Sequence, residues 1–135
     1  PILAGVRTTA AEDIGSLDGA APGSGPASDL AWYAAAAPLD DETLFTVAPG
    51  PAPVLAAVNP TGEDIEVVLD AIEGEDLTLA VPAGGAAVLP LAEATYSVTG
   101  AAGLLAAVSY ADDDRMAAYP ISPARPVSGA IVIRP

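Results

Sequence analysis

The sequence contains no cysteine and no histidine, and these two absences exclude most familiar catalytic and metal-binding arrangements. Without cysteine the chain can form neither a disulfide framework nor a thiol nucleophile. Without histidine it cannot assemble a Ser-His-Asp or Cys-His catalytic unit, and an ordinary zinc site lacks its usual ligands. Lysine is also absent, which excludes Schiff-base chemistry. We therefore expect a protein that is not an enzyme and that holds no cofactor.

Positive charge is scarce. The sequence contains four arginines and 18 acidic residues, so the formal net charge is −14. Nucleic acid is excluded as a partner because phosphate binding requires clustered cations, and anionic lipid surfaces are disfavoured for the same reason. Hydrophobic residues make up 52% of the chain, and the negative charge keeps such a chain in solution.

Long hydrophobic runs are missing too, although the mean hydropathy is +0.46. The longest uncharged apolar runs, at 30–39 and 102–111, reach about half the roughly 20 residues that a membrane-spanning helix needs. We expect no membrane insertion by this segment. The amino terminus shows no basic stretch followed by an apolar run, so no signal peptide is visible, and we interpret the chain as a fragment of a longer one.

The sequence does contain a clear two-residue period, which is typical of β-strands. Within 63–72 and 77–81 the alternation places one apolar face on each strand: Ile65, Val67, Leu69 and Ala71 on the first, and Leu77, Leu79 and Val81 on the second. Similar short runs, separated by Gly, Pro and Asp, occur at 2–9, 43–48, 53–59, 86–91, 94–99, 103–111, 115–119 and 129–134. Pro90 predicts an edge strand or a strand end. The pattern predicts an all-β fold, an antiparallel β-sandwich of immunoglobulin-like architecture in the broad sense, with about eight to ten strands and little or no helix.

Two segments depart from this pattern. The residues 28–39 could form a short helix, capped by Ser28 or Asp29 and ended by Pro38, because alanine favours helices. The segment 10–28 is rich in Gly, Ser, Pro and Ala, and we interpret it as a flexible exposed loop.

The sequence also contains an internal repeat. Residues 2–9 resemble 104–111, residues 31–39 resemble 115–121, and residues 44–49 resemble 130–135, in the same order. This order indicates duplication. It favours a strand over a helix for 31–37, because the counterpart at 115–119 is too short for a stable helix. It also makes 2–48 a candidate for the closing strands of a preceding module, within a domain that spans 1–135.

The longest stretch with a recognisable pattern is 53–114. It runs from Asn59-Pro60 at a strand end, through a Gly-Glu-Asp turn and a strand ending in Pro82-Ala83-Gly84, to "LLAAVSY" at 104–110. This stretch, together with "LAWYAAAAPL" at 30–39, resembles the sandwich modules of a family of large extracytoplasmic actinobacterial proteins of unknown function. The resemblance implies a secreted or cell-envelope location and supplies no catalytic residues.

Three consecutive acids, Asp112, Asp113 and Asp114, raise the question of a metal site. They stand between two predicted strands, where Asp is common because its side chain accepts hydrogen bonds from nearby backbone N–H groups, so we interpret them as a hairpin tip. Calcium is the functional alternative, because it prefers carboxylate ligands, and it would require a second acidic turn such as 40–42 to converge on the first. No spaced EF-hand pattern is present.

Aromatic residues are few, and Trp32 and Tyr33 are adjacent. On a strand they would point to opposite faces, so one ring would face outward and could bind a sugar, or both could be structural. The residues predict a non-enzymatic structural or protein-interaction module, with a carbohydrate-binding module as the alternative, and the resemblance implies that either would work outside the cytoplasm, in the cell envelope or secreted. A protein, a cell-wall glycan or a second copy paired through a sheet edge would be the partner.

Overall fold

A computed structural model describes residues 6–11, 28–33, 36–112 and 116–123, the first two ranges by their backbone only. These residues form ten β-strands and no helix. The strands are β1 (Val6–Ala11), β2 (Ser28–Tyr33), β3 (Glu42–Val47), β4 (Val54–Val58), β5 (Ile65–Ala71), β6 (Leu77–Val81), β7 (Ala86–Pro90), β8 (Ala94–Thr99), β9 (Leu105–Ala111) and β10 (Met116–Pro120).

Eight of these strands form two four-stranded antiparallel sheets. The first sheet, called the 10-9-4-7 sheet after its strand order, contains β10, β9, β4 and β7; the second, the 3-8-5-6 sheet, contains β3, β8, β5 and β6. Among the strands β3 to β10, the chain passes from one sheet to the other at most connections, and only β5–β6 and β9–β10 are consecutive strands paired within one sheet. The all-β sandwich expected from the sequence is therefore confirmed.

The core between the sheets follows the predicted alternation. Val67 and Leu69 of β5 are buried, as are Leu79 and Val81 of β6, whereas Glu66 and Asp70 are exposed. The aromatic rings of Phe45 and Tyr96 stack at 5.5 Å between ring centroids. Pro90 ends β7, which is an edge strand as predicted.

Tyr96 makes a contact that is typical of immunoglobulin-like sandwiches. Its hydroxyl lies 3.2 Å from the backbone N of Ala92, which donates to it, and donates in turn to the Ala92 carbonyl at 3.1 Å. A tyrosine near the start of a strand that bonds the backbone a few residues upstream is called a tyrosine corner. Here it fixes the passage from β7 in one sheet to β8 in the other.

The strand order shares only its centre with immunoglobulin domains. The adjacent pairs β4–β7 and β5–β8 correspond to the B–E and C–F pairs of those domains. The outer strands differ, because β3 pairs with β8 and β9 pairs with β4. The structure is therefore an antiparallel β-sandwich whose strand order is not that of an immunoglobulin domain.

The segment 28–39 begins as a strand. β2 covers Ser28–Tyr33 and pairs antiparallel with β1, and it lies beside β10. Residues 36 and 37 have no regular structure, so the strand expected over 31–37 ends earlier than predicted. Alanine's helix propensity is outweighed here by strand pairing, since propensity is a weak prior. β1 continues to Ala11, and residues 12–27 of the expected loop lie outside the described part of the chain, as does the strand expected at 129–134.

Candidate interaction surface

The outer face of the 10-9-4-7 sheet is defined by the residues that alternate with the core positions. In β4, Leu55 and Ala57 are buried, so Val54, Ala56 and Val58 point away from the core. Residues that are directly paired across two strands project to the same face. The pairing registers therefore extend this face across all four strands.

The whole face is made of small or medium apolar side chains, apart from one serine. Its members are Ala86, Val88 and Pro90 of β7; Val54, Ala56 and Val58 of β4; Leu105, Ala107, Ser109 and Ala111 of β9; and Met116, Ala118 and Pro120 of β10. We call these residues the uncharged face. None of them carries a charge, although the chain as a whole carries −14.

The uncharged face is open to solvent at its β7 side. Val88 is 67% exposed and Val58 is 45% exposed, which is unusual for valine in a folded domain. Single exposed apolar residues need no explanation, but a contiguous apolar patch marks an interaction surface. In the uncharged face the exposed members are Ala86, Val88 and Pro90 of β7, Val58 of β4 and Ala111 of β9, and the other members are half-buried.

The outer face of the 3-8-5-6 sheet gives the comparison within the same molecule. Thr46 pairs with Thr95, and their hydroxyl oxygens lie 2.9 Å apart. Asp70 pairs with Ser97 on the same face, and Glu66 lies further along β5. Two large apolar residues are also exposed at this face: Leu44 of β3 at 62%, and Ile72, just after β5, at 68%. The two outer faces therefore differ in charge: this one combines carboxylates and hydroxyls with its apolar side chains, and the uncharged face has no carboxylate.

The acidic side chains lie away from the uncharged face. Every acidic residue within 36–112 and 116–123 is exposed. Asp64, in the turn before β5, accepts a hydrogen bond from the backbone N of Ala83 at 2.8 Å, as the short side chain of a turn residue does. Solvated carboxylates of this kind keep the protein in solution.

The acidic turn at 112–114 follows β9, and β10 begins at Met116, which pairs with Ala111. Asp112 is exposed at this hairpin tip, and Asp113 and Asp114 lie outside the described residues. The acids 40–42 stand at the other end of the sandwich, because the backbone N of Leu39 bonds the carbonyl of Leu104, at the opposite end of β9 from Asp112. A strand of this length spans about 20 Å, so the described residues do not bring the two acidic turns together. Among those residues no group of three potential ligands gathers around a metal position.

Trp32 and Tyr33 both lie in β2, opposite Arg7 and Val6 of β1. Their side chains are outside the description, so the sugar-binding hypothesis stays a prediction. No helix long and apolar enough to cross a bilayer occurs in the described ranges.

An open groove of about 450 Å³ lies at one end of the 3-8-5-6 sheet, between Thr46, Ile72 and Thr95. It is lined by two exposed carboxylates, Glu73 and Glu93. Neither a histidine nor a cysteine exists in the chain to act beside them. The groove therefore offers less specific chemistry than the uncharged face.

Sequence reasoning alone missed the uncharged face. The strands that build it read as apolar on both sides, and each could have been buried on both sides. Only the pairing order shows which residues lie side by side and face outward.

Comparisons with known proteins add no relative: no family model, no curated protein and no solved structure matches this chain.

Proposed function

We propose that this chain is a non-enzymatic structural or protein-interaction module that works outside the cytoplasm, and that it binds protein through the uncharged face. The observation that carries the proposal is the contrast between the two outer faces of one sandwich. The chain carries a net charge of −14, yet this face carries none. Contact with water is unfavourable for its apolar side chains, and burial against a partner is favourable.

The chemistry of the uncharged face favours protein over the other partner classes. Sugar-binding surfaces use aromatic platforms, and the face contains no aromatic residue. Tyr110 and Tyr119 of the same sheet lie on its inner side, where Tyr119 donates a hydrogen bond to the Thr46 carbonyl at 2.6 Å. Nucleic acid and anionic lipid would require cations that the face lacks.

The repeated sequence blocks support a structural module within a larger protein. Leu39 and Ile121 occupy matching positions in two of the repeated blocks, and each follows a proline and is buried. The backbone N of Leu39 donates to the carbonyl of Leu104, just before β9, and that of Ile121 donates to the carbonyl of Ala106 in β9. β1–β2 and β9–β10 are both antiparallel pairs, although their registers differ. The proposed extracytoplasmic location rests on the resemblance of 53–114 to envelope modules.

The test compares three forms of the chain. Val88→Glu places a charge on the uncharged face, and Leu44→Glu places the same charge at a similarly exposed position of the opposite sheet. Each form is cross-linked in a cell-envelope fraction of the source organism, and the captured proteins are identified. We expect defined envelope proteins that Leu44→Glu retains and Val88→Glu loses. Capture that is identical for all three forms would reject the uncharged face as the binding surface.

A further inference from the structure

We infer that the partner of the uncharged face is the same face of a second copy of this chain, so that two sandwiches associate sheet against sheet. The inference rests on the proposed function and names its partner. It differs from pairing through a sheet edge, because no strand of one copy hydrogen-bonds a strand of the other.

The first argument is charge. Any other described surface of the molecule that could cover the uncharged face carries carboxylates, for example Glu66 and Asp70 on the 3-8-5-6 sheet. Covering Val88 or Ala56 with such a surface would strip water from those carboxylates without supplying a cation, which is strongly unfavourable. Among the described surfaces of the chain, only the uncharged face can lie against an uncharged face without that cost.

The second argument is shape. The central positions of the face are alanines, with Ala56 paired to Ala107 and Ala118 lying one strand further out. Small side chains there let two sheets approach to about 10 Å, which is the normal separation of packed sheets. The larger Val58, Val88 and Leu105 lie toward one side of the face and can interdigitate with their symmetry mates around a two-fold axis.

The small size of the face limits the strength of the association. Four strands about 4.8 Å apart and about five residues along each give about 300 Å² per copy. Stable complexes bury about 800 Å² per partner, so the contact is transient. We expect a dissociation constant in the range of about 0.1–1 mM for free chains. Modules held near one another in a larger protein would reach such concentrations through their linkage.

The experiment is sedimentation velocity on the purified 135-residue chain, over a concentration series that extends to about 2 mM. The weight-average sedimentation coefficient should rise with concentration, and more steeply at high salt, because salt screens the repulsion between two chains of charge −14. Val88→Glu and Val88→Lys should both weaken association by at least about tenfold, since either charge must be desolvated on the covered face. Leu44→Glu should associate like the unmodified chain. Circular dichroism and thermal unfolding confirm that each variant is folded.

Three outcomes would overturn the inference. A strict monomer at every concentration excludes self-association, and an association that survives both Val88 variants runs through another surface, such as a sheet edge. An association lost equally in Leu44→Glu is not specific to the uncharged face. If the purified chain stays monomeric while envelope proteins are captured only by forms with an intact uncharged face, the proposed function stands and this choice of partner fails.

Discussion

The side chain of Asn59 connects the two sheets. It stands at the end of β4, in the 10-9-4-7 sheet, and its amide Nδ2 donates a hydrogen bond to the carbonyl of Val81, the last residue of β6 in the 3-8-5-6 sheet, at 3.1 Å. The same nitrogen donates to the Glu63 carbonyl at 2.7 Å, while Oδ1 accepts from the backbone N and the hydroxyl of Thr61 at 3.0 and 2.6 Å. The side chain is fully buried and uses both of its donors and both acceptor sites.

Replacing Asn59 should therefore destabilise the fold strongly. Asn59→Ala leaves the carbonyls of Val81 and Glu63 and the N–H of Thr61 without this partner, and each buried polar group left unpaired costs about 1–3 kcal/mol. We expect a loss of at least about 3 kcal/mol in the free energy of unfolding, measured by urea denaturation. Asn59→Asp has the same shape but removes both donors and buries a charge, so it should be no better than alanine at neutral pH. A loss below about 1 kcal/mol in both variants would show that Asn59 does not hold the sheets together.

The tyrosine corner should contribute less. Tyr96→Phe keeps the ring and its stacking on Phe45 but removes the hydroxyl that bonds Ala92. We expect a loss of about 1–2 kcal/mol in the free energy of unfolding. Tyr96→Leu removes the stacked ring as well and should cost more. If Tyr96→Phe were as stable as the unmodified chain, the hydrogen bonds between Tyr96 and Ala92 would make no net contribution to stability.

Thr43 offers a stabilising change. It is buried in β3, and its hydroxyl has no hydrogen-bond partner among the described residues. Thr43→Val keeps the β-branched shape and removes the unpaired hydroxyl, so the free energy of unfolding should rise by about 1 kcal/mol. Thr46→Val is the control on the same strand, because Thr46 is exposed and shares a hydrogen bond with Thr95. It should give no comparable gain, and an equal gain in both variants would point to strand propensity instead.

Tyr119 should make the fold sensitive to alkali. Desolvation by burial, together with the neighbouring Tyr110, raises the pKa of Tyr119 from 10.0 to about 12. In the unfolded chain the phenol loses its proton near its ordinary pKa, while the folded chain keeps it. The contribution of Tyr119 to stability is therefore full below pH 10 and is lost as the pH rises to about 12. Unfolding curves measured across this interval should show the decline.

The matched variant is Tyr119→Phe. It also loses the hydrogen bond to the Thr46 carbonyl, so it should start less stable at neutral pH. Its stability should fall less steeply above pH 10 than that of the unmodified chain. Identical slopes for the two proteins would mean that Tyr119 titrates in the folded state as it does in the unfolded state.

The fold was predictable where the alternation is strict. The faces of β5 and β6 follow directly from Ile65, Val67 and Leu69 and from Leu79 and Val81, and Pro90 correctly marked an edge strand. The residues 28–39 were ambiguous because alanine fits both a helix and a strand, and the pairing of β2 with β1 decided the matter for 28–33.

The candidate surface could not be predicted, because it depends on which strands are neighbours. Val88, Ala56, Ala107 and Pro120 are far apart in the sequence and form one row only through the registers of three strand pairs. Asn59 gave a partial signal, since Asn-Pro marked a strand end, but its link to Val81 depends on how the two sheets pack against each other. The spacing between Ala92 and Tyr96 could have indicated the tyrosine corner had the strand identities been known.

The central claim is that two copies of this chain associate through the uncharged faces of their 10-9-4-7 sheets. The most direct measurement is an NMR titration of the isotope-labelled chain at low concentration with an excess of unlabelled chain. Shift changes and line broadening should map to the amides of β4, β7, β9 and β10 and leave β3, β5 and β8 unchanged. Perturbations centred on the 3-8-5-6 sheet would contradict the claim, because they would place the contact on another surface. The absence of any perturbation at the highest concentration would also contradict it, because the copies would then not associate.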